Sequence, residues 1–101
     1  MKISVITYDV TSRAEGLPGG WPVKVYADPT KADYDLRRAN ELFWGLVALF
    51  DDPGAYAGKV AKDPRMAELQ GMFPQQRIYT PTRFCRDEGS PFAIEQIDYV
   101  A

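Results

Sequence analysis

One long amphipathic segment constrains the fold of this chain more than any other feature of its sequence. Apolar residues recur three or four positions apart in it, at Ala32, Leu36, Ala39, Phe43, Leu46, Val47 and Phe50. This spacing places them on one stripe of an α-helix. Thr30 is the predicted N-terminal cap, and Asp52-Pro53 is the predicted end, because a residue before proline leaves the helical region.

Four other segments have the composition and alternation of β-strands. They are residues 2–10, 23–27, 76–84 and 92–100, and glycine and proline mark the breaks along the chain. Asp52-Pro53 and Asp63-Pro64 each place a capping carboxylate before proline, which predicts two short helices over 53–62 and 64–70, with Gly71 as a C-terminal stop. The predicted fold is α+β: a four-stranded, mostly antiparallel sheet in ββαββ order, with one long and two short helices on one face.

The length of the chain suits one such domain over residues 1–101, since 101 residues with 46% hydrophobic content can bury a single core. The longest strongly apolar run covers residues 42–50, far short of the ~20 residues that cross a bilayer. The N-terminal residues do not resemble a signal peptide. We therefore expect a cytoplasmic protein with no membrane partner.

The composition is poor in catalytic side chains. The chain has no histidine and one cysteine, Cys85. This removes the commonest general base, Ser-His and Cys-His pairs, and every zinc site built on histidine or on a thiolate cluster. We therefore expect no enzyme activity, no cofactor and no metal. Arg83 and Arg86 flank Cys85, which leaves a reactive thiol as the alternative to a half-buried structural cysteine.

Carboxylates are the remaining candidates for metal ligands. Pairing of the first and last strands could bring Asp9 near Glu95 or Asp98, although we interpret these residues as solvated. The run Val-Ile-Thr-Tyr-Asp-Val at residues 5–10 resembles the first strand of the small CRISPR-associated nucleases, in which that aspartate binds a metal. In that family an arginine-rich helix follows the strand, whereas a loop and a second strand follow here. We therefore do not assign the family's metal role to Asp9.

Aromatic and arginine side chains are the predicted means of binding a partner. Arg77, Tyr79 and Arg83 alternate onto one side of the predicted third strand, the side turned away from the helices. Such residues are enriched at binding hot spots. The predicted partner-binding set is Trp21, Arg77, Tyr79, Arg83 and Tyr99. The other interpretation is that the tyrosines pack across strands on an ordinary solvated sheet.

The C-terminal half of the long helix is apolar over much of its circumference, because Leu42, Trp44 and Leu49 lie outside the narrow stripe. A helix of this kind is buried deeply or buried in a partner, and a homodimer would be the simplest partner. Trp44 either widens the buried face or protrudes as a docking residue. Arg37 and Glu41, four residues apart, are expected to form a local ion pair.

These features predict a small noncatalytic protein that docks on another protein or protein complex and inhibits it, of the type of phage-encoded anti-host or anti-CRISPR inhibitors. A net charge of −2 does not favour binding to nucleic acid. Two alternatives stay open. One is a nucleic-acid-binding or metal-dependent nuclease module that stacks bases on Tyr8, Tyr79 and Tyr99, and the other is a structural subunit of a larger assembly.

Overall fold

Residues 2–9, 21–85 and 89–98 are described by the computed structural model, except for the side chain of Trp21. Within these ranges the strands are β1 (Lys2–Tyr8), β2 (Trp21–Tyr26) and β3 (Phe92–Asp98). The helices are α1 (Pro29–Ala48), α2 (Ala57–Val60) and α3 (Pro64–Met72), and a short 3-10 helix (Leu49–Asp51) comes after α1. None of the described helices is long and apolar enough to cross a bilayer.

The described residues contain a three-stranded antiparallel sheet in the order β2-β1-β3. β1 lies in the centre, with Ser4 opposite Tyr26 of β2 and opposite Gln96 of β3. β1 is paired along both edges, and residues 4–8 are all buried, with no exposed surface on Ile6. β1 and β2 therefore pair as the sequence predicted.

The prediction of a strand at residues 76–84, and with it a four-stranded sheet in ββαββ order, is wrong. That segment, which is described throughout, contains no strand. Its main-chain groups have local partners instead of a neighbouring strand. The Gln70 side chain accepts from the Ile78 N–H at 2.8 Å and donates to the carbonyl oxygens of Phe73 at 3.1 Å and Gln76 at 2.7 Å. Further on, Pro81 has no N–H to donate to a sheet.

α1 confirms the predicted helix, but its start differs from the prediction. The helix begins at Pro29, and Asp28 Oδ1 accepts from the Thr30 N–H at 2.9 Å. Asp28, and not Thr30, is therefore the residue whose side chain caps the N-terminus of the helix. The same pairing of aspartate and proline opens α3, where Asp63 accepts from the Arg65 N–H at 2.9 Å. A carboxylate before proline therefore caps both helices.

At Asp52-Pro53 the same dipeptide makes a turn rather than a helix start. Asp52 Oδ1 accepts from the Gly54 N–H at 2.9 Å, and the Asp52 carbonyl accepts from the Ala55 N–H at 3.0 Å. α2 begins only at Ala57, so the helix predicted over 53–62 is four residues long. α3 runs past Gly71 to Met72, two residues beyond its predicted end at 70.

The apolar stripe of α1 is buried along most of its length. Ala32, Ala39, Phe43, Leu46 and Val47 are all buried, and Leu36 and Phe50 are half-buried. Leu42 is buried as well, whereas Trp44 is 38% exposed with its ring edge against Phe43 at 5.0 Å between centroids. The buried face is therefore wider than the stripe, and Trp44 lies at its margin.

The chain groups into two units, and the boundary between them falls inside α1. One unit, the sheet unit, comprises Met1–Arg37 and Pro91–Ala101, and the other, the helical unit, comprises Arg38–Ser90. The prediction that residues 1–101 form one domain stays a prediction.

In the sheet unit a polar contact joins β2 to the first half of α1. The buried Tyr26 hydroxyl donates to Asp35 Oδ2 at 2.6 Å, and Lys24 Nζ lies 3.6 Å from the same oxygen. Burial, followed by the hydrogen bond and the charge of Asp35, raises the pKa of the Tyr26 hydroxyl. The hydroxyl therefore stays protonated and keeps donating over the ordinary pH range.

In the helical unit a two-bond ion pair joins α1 to α3. Arg38 Nε and Nη2 donate to the Glu68 carboxylate at 2.7 and 2.9 Å, and Arg38 Nη1 lies 3.3 Å from Glu41. Arg38 therefore makes the helix-surface ion pair that was predicted for Arg37. The hydrogen bonds from Arg38 lower the pKa of Glu68 below its ordinary value of 4.5.

We expect the contribution of the Arg38–Glu68 pair to the free energy of unfolding to depend on pH. Because the pKa of Glu68 is lowered on folding, the pair stabilises the fold above the ordinary pKa of glutamate, and this stabilisation is lost as the pH falls through the lowered value. Glu68→Gln should therefore lower the unfolding temperature near pH 7, and this loss should shrink as the pH falls below the ordinary pKa of glutamate. Thermal unfolding at neutral and at acidic pH tests this. If Glu68→Gln lowered the unfolding temperature equally at neutral and at acidic pH, the ion pair would not be the source of the loss.

Candidate functional site

The segment after α3 is held in place by side chains rather than by strand pairing. Gln70 fixes its first part through its bonds to Phe73, Gln76 and Ile78. At its far end the Thr82 N–H donates to Cys85 Sγ at 3.4 Å, and the Cys85 N–H donates to the Thr82 carbonyl at 3.1 Å. The chain therefore makes a tight turn at residues 82–85, and this turn presents Arg83 and Phe84.

Arg83 packs back onto the chain between α1 and α2. Its guanidinium carbon lies 5.7 Å from the centroid of the Phe50 ring, and Nη2 donates to the Ala55 carbonyl at 3.3 Å. Stacking on an aromatic ring and bonding to a carbonyl both restrict the rotation of a long side chain. These two contacts therefore restrict the guanidinium before any partner binds.

A cleft of about 380 Å³ opens beside Arg83 within the helical unit. Two large aromatic side chains that line it are mostly exposed, Tyr56 by 63% and Phe84 by 67%. We call it the Arg83 cleft, and its lining residues are Phe50, Ala55, Tyr56, Ala57, Thr82, Arg83 and Phe84.

The position of the Tyr56 ring depends on the glycine two residues later. A Cβ built at Gly58 would lie 3.1 Å from Tyr56 Cε2, closer than ordinary van der Waals contact. With glycine at that position the ring lies over the first turn of α2. A larger residue at position 58 would therefore force the Tyr56 ring to move.

The structure brings only part of the predicted binding set to this cleft. Arg83 lines it, whereas Arg77 stacks over the Tyr79 ring at 5.2 Å from the centroid, and Tyr79 is 51% exposed. These residues do not share a sheet face as predicted, because the segment that carries them is not a strand. Tyr99 and the side chain of Trp21 lie outside the described residues.

Three aromatic residues of the cleft were missed by the sequence analysis. Phe50 was assigned to the buried stripe of α1, and Tyr56 lies in a region predicted as helix without a role. Strand alternation placed Phe84 on the side opposite Arg83, but the turn at residues 82–85 brings both to one cleft. Strict alternation of consecutive side chains between two faces holds in a strand, and it does not apply to Arg83 and Phe84 because they lie in a turn.

The candidate metal ligands are spread along the sheet rather than gathered. In the β1–β3 ladder Glu95 lies opposite Val5 and Asp98 opposite Lys2, while the Asp9 N–H donates to Pro91 O at 2.9 Å, beyond the other end of the paired strands. The described ranges contain no group of three or more histidine, cysteine or acidic residues that could hold a metal ion. The predicted stacking residue Tyr8 is only 3% exposed, so it presents no face to a base.

Comparison with known proteins assigns no function to this geometry. No family model, no curated protein and no solved structure matches the chain. The function has to be inferred from the Arg83 cleft itself.

We expect Gln70 to be the residue on which the position of the segment after α3 depends most. Gln70→Ala removes the side-chain partner of the Ile78 N–H and of the Gln76 carbonyl, while the Phe73 carbonyl still accepts from the Gln76 N–H, and the loss should cost about 1–3 kcal/mol. Urea unfolding measures this loss. Gln75→Ala, at an exposed site in the same turn, is the matched control and should change stability by less than about 0.5 kcal/mol. Equal stability of the two variants would contradict the role of Gln70.

Proposed function

We propose that this chain is a noncatalytic binding protein that docks on another protein through the Arg83 cleft. The observation that carries the proposal is the pair of largely exposed rings, Tyr56 and Phe84, which line the same cleft as the Arg83 guanidinium. Large apolar side chains gathered in one place on a surface are typical of sites that a partner covers. Aromatic residues and arginine are also those that contribute most to binding free energy at interfaces.

The chemistry of Arg83 indicates the kind of segment that fits. The Ala55 carbonyl accepts from one N–H of the guanidinium. The planar group has further N–H donors that can bind both oxygens of a carboxylate. The rings of Tyr56 and Phe84 offer apolar surface to the neighbouring side chains of the same segment. We therefore propose a partner segment in which aspartate or glutamate lies beside apolar residues.

Inhibition of the partner is the consequence that we propose for this docking, of the type of phage-encoded anti-host or anti-CRISPR inhibitors. A small domain without catalytic groups acts by covering a surface that its partner needs. A cytoplasmic location is part of the proposal, and the free thiol of Cys85 is consistent with a reducing compartment. The nucleic-acid alternative loses support, because one of its three stacking tyrosines, Tyr8, is buried.

The test begins with capture of the partner from a lysate of the native host by the tagged chain, followed by purification of the captured protein. Its affinity is then measured for the wild type and for Phe84→Ala. We expect the substitution to weaken binding by about 2 kcal/mol, or roughly thirtyfold. Because Phe84 is 67% exposed, its removal should leave thermal unfolding nearly unchanged.

Tyr34→Ala is the matched control, since Tyr34 is 69% exposed on α1 and does not line the cleft. It should bind as the wild type does. Arg83→Lys keeps the charge but loses the planar fork, and it should bind more weakly. Equal losses for Phe84→Ala and Tyr34→Ala would remove the cleft from the proposal. Dissociation of a homodimer by Phe84→Ala, seen by sedimentation, would show instead that a second copy covers the cleft.

A further inference from the structure

The two outer edges of the sheet differ in how well they are protected against pairing with another chain. β2 carries Pro22 and Lys24, and its register with β1 shifts between Ile6 and Thr7. Proline, charged side chains (lysine above all) and irregular pairing are among the features that keep an edge strand from pairing with another chain. β3 contains neither proline nor lysine, and it pairs with β1 in an unbroken register over all seven of its residues.

The register shows which main-chain groups of β3 point outward. The Asp9 N–H donates to Pro91 O at 2.9 Å, so these opposite residues form a hydrogen-bonded pair. Such pairs alternate with non-bonded ones along an antiparallel ladder. Residues 93, 95 and 97 therefore bond to β1, and Ile94, Gln96 and Asp98 direct their N–H and C=O groups away from it. Among the described residues, no strand pairs with this edge.

The side chains of β3 indicate the charge of a fitting strand. Its charged residues, Glu95 and Asp98, are both acidic and both exposed. Ile97 is 46% exposed and lies on the same face of the sheet as Glu95, two residues away. A second copy of β3 fits poorly in several registers, because it places carboxylates opposite carboxylates, and like charges directly opposite are destabilising.

We propose that the outer edge of β3 accepts an extended basic segment of a partner protein as a fourth, antiparallel strand. The segment presents an apolar side chain opposite Ile97 and a lysine or arginine opposite Glu95, two residues further along its own chain. A second basic residue lies opposite Asp98. Main-chain hydrogen bonds supply affinity, and the acidic and apolar side chains supply selectivity. This edge belongs to the sheet unit and does not depend on the Arg83 cleft.

The probe is a short capped peptide with the central sequence Lys-Val-Thr-Lys and threonine elsewhere, and its counterpart carries glutamate in place of both lysines. Fluorescence anisotropy with the full chain measures binding. We expect the lysine peptide to bind at least about tenfold more tightly than the glutamate peptide, and its affinity to fall with salt. Glu95→Lys should reduce that preference, and because Glu95 is exposed the variant should remain folded.

Gln96→Pro tests the main-chain part of the proposal. It removes an outward N–H without breaking a bond to β1, so the peptide should bind about tenfold more weakly while thermal unfolding changes little. Gln96→Thr keeps the N–H and is the matched control. If Gln96→Pro unfolds the chain, the proposal is tested by the peptide preference of the Glu95→Lys variant alone. Absence of peptide binding, equal binding of both peptides, or self-association that Gln96→Pro abolishes would each overturn the proposal.

Discussion

The Gln70 amide is the interaction on which the described helical unit depends most, because it satisfies main-chain groups that a neighbouring strand would otherwise satisfy. One oxygen and one nitrogen bond to three such groups, those of Phe73, Gln76 and Ile78. Each of these groups, if buried without a partner, would cost about 1–3 kcal/mol. Gln70 in turn is placed by α3, whose start is capped by Asp63 and whose surface is tied to α1 through Glu68. The segment after α3 is therefore ordered because α3 holds Gln70 in position.

This arrangement explains why the sequence predicted the sheet and α1 better than the segment after α3. Periodicity reports which face of an element is buried, and the stripe from Ala32 to Val47 is a feature of that kind. The pairing of β1 with β2 was predicted because the two strands follow each other along the chain. Ile78, Thr80, Thr82 and Phe84 also alternate as a strand does. The Ile78 N–H, however, donates to the Gln70 side chain of α3, and the Thr82 N–H donates to Cys85 Sγ. A pattern of side-chain polarity contains no information about that competition, so the strand prediction failed there.

The aspartate-proline dipeptides show a second limit of local rules. Asp28-Pro29 and Asp63-Pro64 open helices, whereas Asp52-Pro53 closes a turn through Gly54. In all three the carboxylate accepts a main-chain N–H two residues later, so the local chemistry is the same. The residues after proline decide the outcome, since glycine next to Pro53 is a poor helix former and the chains after Pro29 and Pro64 are better ones. The prediction missed Asp28 because Thr30 offered a second plausible cap.

A chain without imidazole and with one thiol can still recognise a partner through groups that are ordered before binding. Arg83 is restrained by Phe50 and Ala55, so fixing its guanidinium against a carboxylate loses less conformational entropy than fixing a free side chain would. The edge of β3 is ordered in the same sense, because its inner side is bonded to β1. A partner segment that becomes a strand must still lose about 1–2 kcal/mol per residue of backbone entropy. Outward main-chain bonds at Ile94, Gln96 and Asp98 roughly offset that cost, so discrimination between partners has to come from the side chains beside them, the carboxylate of Glu95 and the exposed Ile97.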